Sequence, residues 1–168
     1  MLDWVESLRS LFTNEIDCYK RLLDWEGKKR QAIHSADGRA LESCVKESYH
    51  VMVEASELER IRMKTIQEVY EKEKFENKEI TLTNFLNQMD RDSNYKLKGF
   101  AQELKSVVQE LKEAIIVNDK LLRTRKDFLQ KTIDTLHEHE REKVYTSSKQ
   151  PIRRGQGQQS AVILNATA

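Results

Sequence analysis

"LKGFAQELKSVVQELKEAI", residues 97–115, sets apolar side chains three, four and seven apart and fills most other positions with charge or amide. Leu97, Leu104 and Leu111 form one row of period seven, Ala101, Val108 and Ile115 a second, and Phe100, Val107 and Ala114 a third. On an α-helix such rows share one face, and a sustained period of seven marks helices packed along their length. The rows continue beyond residue 115. Asn118, Arg125, Thr132 and His139 extend the first, Leu122, Leu129 and Leu136 the second, and Leu121 and Phe128 the third. The spacing predicts one helix over about 94–143, with uniformly apolar rows, and therefore internal core, as far as Ile115.

Two further helices precede it. Over 2–33, Leu2, Val5, Leu8, Leu11, Phe12, Ile16, Tyr19, Leu22 and Leu23 recur at threes and fours. "HSADG" (34–38) breaks the pattern, with Ser35, Asp37 and Gly38 as turn or cap residues. Over 39–76 a second stripe runs through Leu41, Cys44, Val45, Ser48, Val51, Met52, Ala55, Leu58, Ile61, Ile66 and Val69. So short a loop makes the pair an antiparallel hairpin. In "EITLTNFLNQMD" (79–90), Thr81 or Thr83 can cap a short corner helix over 83–90 that carries Phe85, Leu86 and Met89.

The expected fold is all-α: an elongated antiparallel hairpin packed on a long C-terminal helix, a three-helix coiled-coil bundle with a corner helix. Residues 1–145 form this domain. Residues 146–168 hold the chain's one proline and many Ser and Gln, and read as a flexible, disordered tail. At 1.5 Å per residue the last helix spans roughly 75 Å and the second roughly 57 Å, so an overhang beyond about residue 130 is expected.

Composition narrows the function classes. Of 168 residues, 38% are hydrophobic and 34% charged, so the core is thin. The 29 basic residues nearly balance the 28 acidic ones, which gives no electrostatic reason to expect a nucleic-acid partner. No apolar run approaches the ~20 residues of a membrane span, and "MLDWVESLRS" lacks the layout of a signal peptide, so a cytoplasmic location is expected. Cys18 and Cys44 lie at different heights along the hairpin and read as reduced core residues.

Catalytic patterns are missing from the sequence. His137 and His139 point to different sides of a helix, and neither a zinc spacing nor a glycine-rich phosphate loop occurs. Carboxylates are scattered over charged faces. The expectation is a protein that is not an enzyme and needs no metal or cofactor. Interaction remains, and 118–136 is the candidate element. Asn118 and Arg125 on its stripe either set register or mark a face meant to live partly in water.

A long final helix with Asn118, then Leu121 and Leu122, then Phe128 and Leu136, then Tyr145 past its end, resembles the FlgN family of flagellar type III export chaperones. The hairpin loop "HSADGRAL" (34–41) and the "TLTNFLNQM" corner (81–89) resemble that family too. The resemblance implies a cytosolic chaperone of the hook–filament junction proteins FlgK and FlgL. It would bind their C-terminal helical segments, prevent premature assembly and deliver them to the export gate component FlhA. Asn118, Leu121, Leu122, Arg125, Phe128, Leu129 and Leu136 become cargo-binding candidates, and Tyr145 the gate-docking candidate. Thr146 and Lys149 stand where the family pattern has glycine soon after the tyrosine. The free protein is expected to be a monomer or weak homo-oligomer. The competing reading is a structural scaffold that self-associates through the heptad stripe.

Overall fold

The computed structural model describes residues 3–76 and 80–147, with side chains from Trp4 to Val144. These residues form four helices and no strand: α1 (Asp3–His34), α2 (Gly38–Glu73), α3 (Leu82–Gln88) and α4 (Arg91–Ser147). The fold is therefore all-α, a helical hairpin followed by a corner helix and one long final helix. The tail expected over 146–168 lies, apart from the helical backbone to Ser147, outside the described residues. The chain divides into two compact units, Met1–Arg125 and Lys126–Ala168, and α4 contributes to both.

Local chemistry fixes the helix ends. Ala36 takes a left-handed φ of 55° in the loop, and Asp37 Oδ1 accepts from the Ala40 amide at 2.9 Å, so Asp37 is the N-cap of α2. Ser35 instead returns its hydroxyl to the carbonyls of Gln31 and Ala32. Lys74, also left-handed, closes α2 by donating to the Tyr70 carbonyl. Thr81 caps α3 through the Asn84 amide at 3.2 Å. The final helix starts at Arg91, before the expected residue 94, because Asp90 Oδ1 accepts from the amides of Asp92 and Ser93 at 3.0 Å. Bonds from Ser93 hold the Asp90 carboxyl below the usual aspartate range.

In the first unit the core has two parts. The larger gathers Val5, Leu8, Phe12 and Ile16 of α1, Ile66, Val69 and Tyr70 of α2, Phe85 of α3, and Leu97 and Leu104 of α4. Phe85 is fully buried and is the reason for the corner. Its ring stacks on Tyr70 at 5.6 Å and meets Trp4 and Phe75 at 6.1 and 6.2 Å. The smaller part joins Cys18, Leu22, Val51, Ala55 and Leu111. Both cysteines are free and buried, and burial with the Glu54 carboxylate nearby pushes the Cys18 thiol up to about 11.

Some α2 positions read as seam are not buried. Val45, Met52 and Ile61 are each at least a third exposed, because the inward line runs through Cys44, Ser48, Val51 and Ala55 instead. In α4 the apolar core ends at Leu111. Ile115, expected inside, is half exposed, since it is turned roughly 60° around the helix from the next buried position, Asn118.

Glu15 is an ionisable group sealed inside the hairpin. It is wholly inaccessible, its Oε1 accepts from Arg62 Nε at 2.8 Å, and its Oε2 has no partner within the protein. Burial raises its pKa above the ordinary 4.5, and Arg62 only partly offsets this. The sign follows from linkage. A carboxyl whose folded pKa is raised favours the fold while protonated, and that contribution is lost as pH rises through the window above 4.5. Glu15→Gln should therefore match the wild type in acid and become the more stable of the two as pH approaches neutrality. Urea denaturation of both proteins across that range checks it, and a stability difference that does not change with pH would contradict it.

Candidate functional site

The candidate residues fall in both units. In the first, Asn118 is buried and fully engaged. Its Nδ2 donates to the Glu26 carbonyl and to Glu26 Oε2, both at 2.8 Å, and its Oδ1 accepts from Arg30 Nε at 3.0 Å. Glu26, itself buried, also holds Lys29 at 2.6 Å. An amide supplies a donor and an acceptor together, which this mixed environment needs and a leucine could not give. Of the two readings left open by the sequence, register-setting is the one this geometry matches.

Arg125 lies one heptad on and also turns to α1. Its Nη2 donates to the carbonyl of His34, the last residue of α1. The last carbonyls of a helix lack intrahelical donors and sit at the negative end of its dipole, so a guanidinium there is doubly matched. Lys20 adds a surface pair with Glu103 at 2.7 Å. That pair is exposed and contributes little.

The leucines between these polar residues behave differently. Leu121 is partly buried and Leu122 is 46% exposed. Within the second unit every described side chain from Lys126 to Val144 is exposed. There Leu129, Ile133 and Leu136 share roughly 60° of arc on the helix, and Phe128 stands to one side of them. Phe128 is 69% exposed and Leu129 and Leu136 are both 59% exposed. A narrow apolar stripe of this kind is a coiled-coil seam rather than the broad face of a helix built for a globular core. Ile133 is the member that the row-by-row reading of the sequence missed. The signal was its position four residues after Leu129 and three before Leu136. Tyr145 is in the helical backbone, but its side chain lies outside the described residues.

The chain is matched over residues 1–152 by the model of a family described as FlgN protein. It belongs to the FlgN family. No curated protein and no solved structure matches it. The FlgN family is one of chaperones for flagellar assembly and is not known as enzymatic, and the general role of flagellar export chaperone is this chain's. The match covers both hairpin helices, the corner and all of α4. No helix of the described residues is long and apolar enough to cross a membrane.

A consequence for stability follows from Asn118. Asn118→Ala would leave the buried Glu26 carboxylate and carbonyl short of a donor and Arg30 short of an acceptor. We expect a loss of about 1–3 kcal/mol in chemical denaturation. A loss within experimental error of zero would mean that water replaces the amide without cost.

Proposed function

We propose that this FlgN-family protein is the cytoplasmic chaperone of the hook–filament junction proteins FlgK and FlgL, and that it delivers them to the export gate through FlhA. The observation that carries the cargo half is the exposed apolar stripe of α4, Leu129, Ile133 and Leu136 with Phe128 beside it, together with Leu121 and Leu122. A monomeric protein gains nothing from leaving such large side chains in water unless another chain covers them.

The chemistry suits a reversible cover. An exported subunit must stay unassembled, so its amphipathic helical segment has to be masked and later released. Helix-in-groove contact does this with apolar anchors at i, i+3, i+4 and i+7 and needs no nucleotide or metal. In this reading Asn118 positions the helix rather than touching cargo. Arg125 holds the end of α1 through the His34 carbonyl. Tyr145 is assigned to gate docking from the family pattern.

Replacing Leu122 and Phe128 together by Ala should weaken binding of FlgK and FlgL by about tenfold or more, since two truncated anchors cost more than 1.4 kcal/mol. Calorimetry with the purified proteins measures this, and unchanged affinity would reject the cargo assignment. Light scattering separates the competing scaffold reading, which requires a stable homo-oligomer indifferent to FlgK and FlgL. For the gate, Tyr145→Ala should weaken capture of the chaperone–cargo complex by the cytoplasmic domain of FlhA while leaving cargo affinity intact. Equal capture would remove Tyr145 from that role.

A further inference from the structure

One row of α4 stands apart from the apolar rows of the core. Arg91, Lys98, Lys105 and Lys112 recur every seven residues, and all four are exposed. Elsewhere on the long helices, exposed cations take a carboxylate three or four residues away, as Arg9 takes Glu6, Lys46 takes Glu42, Arg60 takes Glu57 and Arg123 takes Asp119. Around the four cations of this row, the positions three and four residues away hold only Asn, Gln, Tyr, Ala, Val or Ile. None of the four forms an ion pair among the described residues.

The acids of the same stretch keep to another side of the helix. Asp92, Glu103 and Glu110 share the flank turned to α1, where Glu103 meets Lys20 at 2.7 Å. Asp92 holds Lys96 at 3.4 Å, and Glu110 accepts from Ser106 at 3.2 Å. Glu113, beside the upper end of the row, accepts from Gln109 at 2.9 Å. In the middle of α2, Glu57 and Glu59 have their own cations, Arg60 at 2.6 Å and Arg62 at 3.8 Å. A period of seven drifts only ~20° per heptad around a straight helix, so the four cations stay on one side of α4 over about 31 Å. Tyr95, Gln102 and Gln109 lie on that side with them. Tyr95 is 85% exposed, the most exposed large apolar side chain among the described residues.

We propose that this row, Arg91, Lys98, Lys105 and Lys112 with Tyr95, rests the first unit on an anionic lipid surface. Unmatched cations in one line call for an anionic partner, and the shape of the line selects which. A partner helix packs through apolar knobs set between its charges, and here Gln102 and Gln109 occupy the places between the cations. A phosphate strand of a duplex turns once around its axis in roughly 34 Å, so a nearly straight row meets it only where the two cross. A plane of headgroups meets all four cations at once, and each adds its own attraction to the negative leaflet. Tyrosine is a residue type that settles at the level of the headgroups, and Tyr95 extends from the same side. The contact is peripheral, through charge and one ring. It is independent of the cargo reading, since no residue of the row is a cargo candidate.

The full-length protein is floated with vesicles of phosphatidylcholine alone and of phosphatidylcholine mixed equally with phosphatidylglycerol. It should bind the mixed vesicles only, and high salt should release it. Lys98→Gln with Lys105→Gln should lower the partition coefficient about tenfold or more, whereas Lys98→Arg with Lys105→Arg should preserve it. Lys149→Gln with Arg153→Gln removes the same charge outside the row and should leave binding near that of the wild type. The row side chains are exposed, and circular dichroism checks that the helices are retained. Lys105→Gln with Lys112→Gln replaces the first pair if that one fails to fold. Absence of binding to the mixed vesicles overturns the proposal, as does wild-type binding by the row variants. An equal loss from the Lys149 and Arg153 pair overturns it too, because net charge and not the row would then be responsible. Tighter binding to a short DNA duplex or to a glutamate-rich helical peptide than to the mixed vesicles would assign the row to another class of partner and reject the lipid surface.

Discussion

One carboxamide sets the frame on which the rest of the first unit depends. Asn118 sits where α4 stops being a core helix, and each of its polar atoms is answered by α1. Sliding α4 by a heptad would bring Leu111 or Arg125 to Glu26. The first would bury a carboxylate against a leucine and the second would crowd Arg125 beside Arg30. Apolar rows alone tolerate such a slip, because one leucine layer resembles the next. A buried polar residue in a heptad row gives up some stability to exclude wrong registers. Arg125 on the terminal carbonyl of α1 repeats the constraint one heptad later.

With register fixed, the apolar side chains divide by position. Below Leu111 they converge with Phe85 and the aromatic corner into a core that Glu15 and Arg62 interrupt once. Above it α1 keeps α4 through polar bonds, and the leucines and isoleucines that α1 does not cover stay half exposed. The exposure on α2 and α4 is thus produced by the same choice that pins α4. A core of leucine there would have pulled Ile115 and Leu122 inward and left no face for another chain.

Much of the fold was legible because period-seven rows, a short polar loop and a capping threonine are local signals. Helix order, the hairpin and the corner all followed from them. The start of α4 is not legible in the apolar rows, because it is set by the Asp90 cap, which also closes the corner. Ile115, Val45 and Met52 lie on apolar rows yet outside the core, because a hydrophobic row says which face of a helix is apolar and not how many neighbours cover it. That number depends on partners distant in sequence, here on Glu26 and Arg30, some ninety residues from Asn118. Asn118 itself was legible as an anomaly, and only its bonds decide between water and register.

A chaperone that exposes an apolar helix face meets a physical conflict. An apolar face strong enough to bind is also prone to self-association or to collapse onto its own bundle. Here the conflict is met on two levels. Polar residues interrupt the α4 rows at heptad intervals, which limits each exposed apolar run to a few anchors. Paired charges line the outer surfaces, Glu42 with Lys46 and Asp119 with Arg123, so the apolar positions near them do not merge into one continuous patch.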